Sequence, residues 1–220
     1  MLSCILFDLD GTLVDSAPDL CASANFMRER AGLLALPYEA MREDAGKGAR
    51  GMLWASLRLP KTADNFEELK NIFLAHYEAH ISEHSTLFAG VAQMIADIEA
   101  AGLKWGIVTN KAEHLARKLC AAKGISPNTG CFVSGSDLGA MKPRPDPVLE
   151  GMRRTHSRPE ETIYVGDDAR DAASAKAAGV RFIAASWGYV NGGIDISSWG
   201  ADVVAKHPAD VVKSAQALCG

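Results

Sequence analysis

Long hydrophobic runs are missing from this chain. No stretch approaches the roughly 18 consecutive apolar residues that a membrane-crossing helix requires, so no membrane partner is expected. The start, Met1-Leu2-Ser3-Cys4-Ile5-Leu6-Phe7, has no basic segment, and its apolar run stops at Asp8, too soon for a secretory signal. Cysteine is sparse: Cys4, Cys21, Cys120, Cys131 and Cys219 are odd in number, far apart and never in a CxxC pair. That excludes a disulfide framework and a zinc site as expectations and points to a reducing, cytoplasmic setting. An excess of positive charge is also absent. With 23 Lys+Arg against 27 Asp+Glu the net charge is −4, which argues against the basic stripe of a nucleic-acid surface. A small anionic substrate is still compatible, because a site can be locally positive in an acidic protein. Internal repeats and low-complexity segments are lacking as well.

What is present is an ordinary globular composition, 48% apolar and 23% charged over 220 residues. A chain of this length buries about 70% of its unfolded surface and folds without metal or disulfides. At roughly 150 residues per domain, it holds one large domain or one domain with a smaller insert.

Ile5-Leu6-Phe7 is a short apolar run ending at Asp8-Leu9-Asp10-Gly11-Thr12, as expected of a buried parallel strand entering a turn. From Ser16 the pattern changes. Ser16 with Pro18 predicts a helix start and Gly32 a stop. Asp64-Asn65-Phe66-Glu67 has the spacing of a capping box, followed by Phe66, Leu69, Ile72, Phe73 and Tyr77 at helical intervals. Residues 16–85 therefore read as helical. Strands return at Lys104–Thr109, Cys131–Ser134, Thr162–Gly166 and Arg181–Ala185, alternating with helices closed by Gly102 and Gly179. This alternation predicts an α/β fold, a doubly wound parallel sheet with a small helical domain inserted after the first strand. The expected boundaries are 1–15 with 86–220 for the core and 16–85 for the insert.

Open α/β sheets bind ligands beyond the carboxyl ends of their strands, and the chemistry-bearing residues cluster there. The first strand ends in Asp8 and Asp10, the second in Thr109 and Asn110, and the fourth in Asp167 and Asp168, with Asp171 one turn on. Lys142 follows the third strand. Taken singly, an Asp after a strand is most often a helix cap, Thr-Asn a turn and Lys142 a solvated lysine. Their coincidence at successive strand ends is the signal. Carboxylates on one rim repel unless a cation or a proton joins them. Hard oxygen ligands suit Mg²⁺, which favours one or two carboxylates with phosphate oxygen and water. A lysine and a Thr-Asn pair beside such a metal make a phosphoryl pocket, where positioning and charge neutralisation dominate catalysis. An aspartate there can also act as nucleophile.

Phe7-Asp8-Leu9-Asp10-Gly11-Thr12-Leu13-Val14-Asp15-Ser16 resembles the first motif of the haloacid-dehalogenase superfamily of phosphatases. Val108-Thr109-Asn110-Lys111 resembles its second motif and Lys142-Pro143-Arg144-Pro145-Asp146-Pro147 its lysine motif. Val165-Gly166-Asp167-Asp168-Ala169-Arg170-Asp171, with Ala177-Ala178-Gly179, resembles the fourth. All stand in order along essentially the whole chain. The resemblance implies Asp8 as nucleophile and Asp10 as the acid and base, with Mg²⁺ held by Asp8, the Asp10 carbonyl and Asp167, and Asp168 assisting. It implies Thr109 and the Asn110 backbone as phosphate ligands, and Lys142, oriented by Asp171, as the neutralising cation. Dehalogenases of the superfamily lack the second aspartate, so Asp10 argues for phosphate chemistry.

The insert is similar to the cap of the subgroup that contains phosphoglycolate phosphatases and β-phosphoglucomutases, caps that close over the site. Within it, Gly46-Lys47-Gly48-Ala49-Arg50-Gly51 resembles a specificity loop, with Arg50 and Lys47 as candidate substrate ligands. The plain alternative is an interhelical turn with solvated charges. The loop is similar both to that of phosphoglycolate phosphatases and to that of phosphatases acting on N-acetylmuramic acid 6-phosphate. The late segments Trp187-Gly188-Tyr189 and Trp199–Val204 lie nearer the second group. The implied partner is a small phosphorylated metabolite carrying a carboxylate, with the protein a monomer or homodimer. His76, His80 and His84 share one helix face, but no ligand motif surrounds them and no metal is assigned to them. A receiver-type signalling module, which also gathers Asp, Thr and Lys on a doubly wound sheet, is the alternative of another class. It would be about half this length and have no helical insert.

Overall fold

The computed structural model describes residues 1–190 and 195–220. In chain order the elements are β1 (Cys4–Phe7), β2 (Val14–Asp15), α1 (Ala17–Arg30), α2 (Gly48–Leu57), α3 (Phe66–Ala79), β3 (Thr86–Leu87), α4 (Val91–Ala100), β4 (Lys104–Thr109), α5 (Glu113–Ala122) and β5 (Phe132–Ser134). They continue with α6 (Asp146–Thr155), β6 (Thr162–Gly166), α7 (Ala169–Ala177), β7 (Arg181–Ala185), β8 (Val203–Ala205) and α8 (Val211–Cys219). Two compact units result, residues 1–14 with 87–220 and residues 15–86. None of the described helices is long and apolar enough to cross a membrane.

The larger unit holds a six-stranded sheet in the order β5-β4-β1-β6-β7-β8. Every neighbouring pair is parallel. Helices cover both faces, so the strands read as continuous apolar runs rather than alternating ones. The two-residue period still sorts side chains. Leu6, Val108, Val133, Tyr164 and Phe182 share one buried cluster with Val148 and Met152 of α6 and Ala172 and Ala175 of α7. Phe7 and Trp105 meet edge to face at 6.4 Å between centroids elsewhere in the core. The chain winds from β1 through β4 to β5, then returns to β6 on the other side of β1. This reversal opens a crevice at the carboxyl end of β1, the usual ligand site of such sheets.

The sequence expectation missed β8. It lies at the sheet edge with only Ala205 buried, yet Val203, Val204 and Ala205 pair with Ile183, Ala184 and Ala185. The third strand also begins at Phe132, one residue later than expected.

The smaller unit packs α1, α2 and α3 around Leu20, Met27, Met52, Leu53, Phe66, Phe73 and Tyr77, all buried. Phe66, Phe73 and Tyr77 recur on one face of α3, as an amphipathic helix requires. α1 begins as expected, with Ser16 at its N-cap and Pro18 in its first turn. The capping box expected at Asp64 does not form. Asn65 is the N-cap of α3 and makes no side-chain cap bond. A backbone turn does the work instead, since the Phe66 amide donates to Ala63 O at 3.0 Å. Asp19 is buried, and its carboxylate accepts the amides of His84 (2.8 Å) and Ser85 (2.9 Å), tying α1 to the end of this unit. His76 stacks on Phe26 and His80 at 4.0 and 4.2 Å between centroids. Among the described residues the histidines form no ligand cluster.

Candidate active site

Asp8 leaves β1 with its amide donating to Val165 O at 2.9 Å, which locks the strand end between its neighbours. A tight turn follows: Leu9 O accepts the amides of Leu13 and Val14, both at 3.0 Å. Gly11 occupies the left-handed region at φ +85, and a Cβ there would fall 2.1 Å from Asp167 Oδ2. Only glycine meets both demands. Asp167, at the end of β6, is thereby brought against the first loop. Thr12 Oγ1 donates to its Oδ1 at 2.9 Å and the Tyr189 amide to its Oδ2 at 2.8 Å. Trp187 Nε1 donates to Thr12 O at 3.0 Å, which fastens the Trp187-Gly188-Tyr189 segment over this corner.

Lys142 is the hub. Its side chain is only 3% exposed, and Nζ lies 2.6 Å from Asp171 Oδ1 and 2.9 Å from Asp8 Oδ1. It also donates to Tyr164 Oη at 2.8 Å and Val108 O at 3.2 Å. Burial works against the charged ammonium, but Asp171 and Asp8 outweigh it and hold the lysine above its ordinary value. Burial, opposed by Lys142 and reinforced by Asp8, raises Asp171 above the usual carboxylate range. The Asn110 side chain clamps the Lys142 backbone: Nδ2 donates to Lys142 O at 3.1 Å and Oδ1 accepts the Lys142 amide at 2.8 Å. Thr109 is buried, and its Oγ1 accepts the Lys111 amide at 3.2 Å.

Asp8, Asp167 and Asp171 each offer a carboxylate oxygen within 4.8 Å of the others. Burial pushes Asp167 well above the usual carboxylate range, and the charges of Asp8 and Asp171 push it further. Among the described residues, buried Asp8 Oδ1 has no hydrogen-bond donor of good geometry, its contact with Lys142 being ionic. Asp171 is committed to Lys142. Asp8 shares its ammonium with Asp171, and Asp167 is met by the neutral donors Thr12 Oγ1 and the Tyr189 amide, so together they form a donor set suited to a hard divalent cation. Asp168 stands apart. Its Oδ1 accepts the Arg170 amide at 2.8 Å, capping α7, and both oxygens bind the Arg170 guanidinium at 2.7 and 2.9 Å. This is the helix-cap role that a lone aspartate after a strand most often has.

The residues of the larger unit named from the sequence thus share one rim. Lys47 and Arg50 belong to the smaller unit. They line a groove of about 400 Å³ with Asp44, Trp54, Pro60 and Lys61, and Lys47 is paired with Asp44 at 2.6 Å. Four contributors were not anticipated: Thr12, Tyr164, the Tyr189 amide and Lys111. Tyr164 sits within an apolar strand run and reads as core. Lys111 Nζ donates to both oxygens of Asp10, at 2.9 and 3.2 Å. Lys111 lies inside the second motif, and that position was the one available signal.

A family model described as haloacid dehalogenase-like hydrolase matches residues 5–185. The chain belongs to this family. The match spans the helical unit as well as the sheet, which sets the receiver-domain alternative aside. The chain is 36% identical to an N-acetylmuramic acid 6-phosphate phosphatase of Pseudomonas putida over 220 residues, covering 100% of this chain and 99% of that protein. It is 41% identical to a phosphoglycolate phosphatase of Xanthomonas campestris pv. campestris over 204 residues, covering 93% and 92%. Among solved structures, a predicted phosphoglycolate phosphatase from Haemophilus somnus 129pt superposes with a TM-score of 0.84 at 26% identity, covering 97% of each chain.

Proposed function

We propose that this haloacid dehalogenase-like hydrolase is a Mg²⁺-dependent phosphomonoesterase that cleaves a small, carboxylate-bearing phosphate ester through an aspartyl-phosphate intermediate. The observation that carries the reading is Asp8 held 2.9 Å from a buried ammonium that Asp171, Tyr164 and Val108 also fix. A carboxylate so placed is oriented toward the rim, as a nucleophile must be. Its oxygen attacks phosphorus while the ester oxygen leaves with a proton from Asp10. Asp10 then takes a proton from water, whose oxygen attacks the aspartyl phosphate to release phosphate and regenerate Asp8. Thr109 and the Asn110 backbone grip the phosphate oxygens, and Lys142 balances the charge gathered around Asp8. Asp8, the Asp10 carbonyl and Asp167 would hold Mg²⁺, with Asp168 in support through Arg170 and the α7 cap; the ion would neutralise phosphate oxygens and draw electron density from phosphorus. The compartment this reading expects is the reducing cytoplasm, in keeping with five free cysteines. The working form is a monomer or homodimer with residues 16–85 as its cap.

Asp10→Asn is expected to remove proton transfer and lower kcat by about 10²–10⁴-fold on alkyl phosphates. In the first half-reaction, read as the pre-steady-state release of the alcohol, the loss should be much smaller on p-nitrophenyl phosphate, whose leaving group needs no proton. Burst kinetics on both esters check this, and equal losses in that phase would argue against the acid role.

Substrate choice is placed on the insert. The first reading is a phosphoglycolate phosphatase-like activity, with Arg50 and Lys47 recognising the carboxylate. Arg50→Ala is then expected to lower kcat/KM on carboxylate-bearing esters by about 10–150-fold, the worth of a charge-assisted bidentate pair. Turnover of p-nitrophenyl phosphate, which has no carboxylate, should change far less. One observation favours a second reading, N-acetylmuramic acid 6-phosphate. Trp54 is 49% exposed and lines the same groove as Arg50, Lys47 and Lys61. An aromatic face stacks on a sugar ring, whereas a two-carbon acid leaves it unused. Assaying phosphate release from a panel that contains 2-phosphoglycolate and N-acetylmuramic acid 6-phosphate separates the two. No release from any phosphate ester would overturn both.

A further inference from the structure

We propose that Lys111 is a positioning residue that sets the orientation of the Asp10 carboxylate for proton transfer, a role that rests on the phosphomonoesterase reading above. The argument begins with the sheet. β1 and β4 are adjacent and in register, Phe7 opposite Ile107, so the residues just beyond their carboxyl ends emerge side by side. Asp10 lies three residues past Phe7 and Lys111 four past Ile107, and their side chains meet across this gap. Nζ binds both carboxylate oxygens, at 2.9 and 3.2 Å. The lysine side chain is 9% exposed and that of Asp10 15%, so the pair is largely shielded from water. Ion pairs in that setting are screened far less than those on an open surface. The Lys111 backbone is itself fixed, its amide donating to Thr109 Oγ1 at 3.2 Å. One residue thus ties the hydroxyl of the second motif to the acid of the first.

The consequence is geometric. A group that transfers a proton must stand within hydrogen-bond reach of the reacting oxygen. Asp10 sits two residues from Asp8, and without a counter-charge its carboxylate would be driven from the acidic cluster of Asp8, Asp167 and Asp171. A two-point contact to one ammonium restricts both side-chain torsions of Asp10 and keeps it on the rim. Lys111 in this role does not bind the substrate phosphate, which is left to Thr109, the Asn110 backbone and Lys142.

The test uses Lys111→Met, which keeps the stem and loses the charge, Lys111→Arg, which keeps the charge, and each change combined with Asp10→Asn. Wild-type turnover of p-nitrophenyl phosphate and of an alkyl phosphate is measured first. Absence of both overturns the phosphatase reading and this inference with it. With wild type active, Lys111→Met should lower kcat on the alkyl ester by about 10–100-fold, a part of what proton transfer supplies. KM, and the rate of the pre-steady-state burst of p-nitrophenol, which needs no acid, should stay within about threefold. Lys111→Arg should recover most of the loss, and in the Asp10→Asn background Lys111→Met should cost nothing further, the signature of coupled residues. A raised KM with equal losses on both esters would make Lys111 a phosphate ligand and overturn the proposal. An unchanged kcat, or losses that simply multiply in the double variant, would reduce the pair to a structural ion pair and overturn it equally.

Discussion

Asp8→Asn is expected to abolish turnover and leave the fold standing. An amide is no nucleophile toward phosphorus, and losing the nucleophile in covalent catalysis costs on the order of 10⁶-fold in kcat. The fold should tolerate the change because Asp8 is one member of a crowded set. Lys142 retains Asp171, Tyr164 and Val108 as partners at 2.6, 2.8 and 3.2 Å. Asp167 loses a neighbouring charge that, after burial, contributes most to holding its carboxyl above the usual range. In chelator the thermal midpoint of Asp8→Asn should therefore equal or exceed that of the wild type. Kinetics and a thermal melt check both halves. A few per cent of wild-type kcat, with contamination excluded, would overturn the nucleophile assignment.

Removing divalent metal should have an effect of similar size. Activity is expected to vanish in EDTA and return with Mg²⁺, while Ca²⁺ should inhibit, because its larger and more flexible shell disturbs the nucleophile's approach. The structural ground is the donor set. Three carboxylates lie within 4.8 Å of one another, and the buried ammonium is matched to Asp171 more closely than to Asp8. The cluster gathers negative charge that a divalent cation would offset. Phosphate release before and after exhaustive chelation is the measurement, and full activity after chelation would refute a metal-dependent mechanism.

The larger part of this site was legible in the sequence because its residues stand at strand ends. β4, β6 and β7 were delimited from the chain alone, at Lys104–Thr109, Thr162–Gly166 and Arg181–Ala185. Each is an apolar run bounded by polar residues or glycine, and in a sheet covered on both faces that pattern is strong. The residues following such runs are confined to one edge, so Asp8, Thr109, Asn110 and Asp167 could be grouped without coordinates. β8 escaped because it is an edge strand of which only Ala205 is buried, so it lacks the buried apolar run that marks the inner strands. The cap of α3 was misplaced by one residue, since the local spacing at Asp64 suggests a side-chain bond that a backbone turn pre-empts.

Local pattern along the chain was enough for the fold class, for five of the six strands of the main sheet and for the rim on which the chemistry lies. Hydrophobic period and turn chemistry act over a few residues and leave their mark locally. Tertiary structure alone decided which side chains touch. Lys111 meets Asp10 across 101 residues, Thr12 meets Asp167 across 155, and Tyr164, read as core, presents its hydroxyl to Lys142 and Asp171. Such contacts depend on strand order and on the length of each side chain, and neither leaves a local trace. The same reason divides the aspartates of the fourth motif. Asp167 is turned inward by Thr12 and the Tyr189 amide, while Asp168, its neighbour in the chain, is drawn to Arg170 and caps a helix.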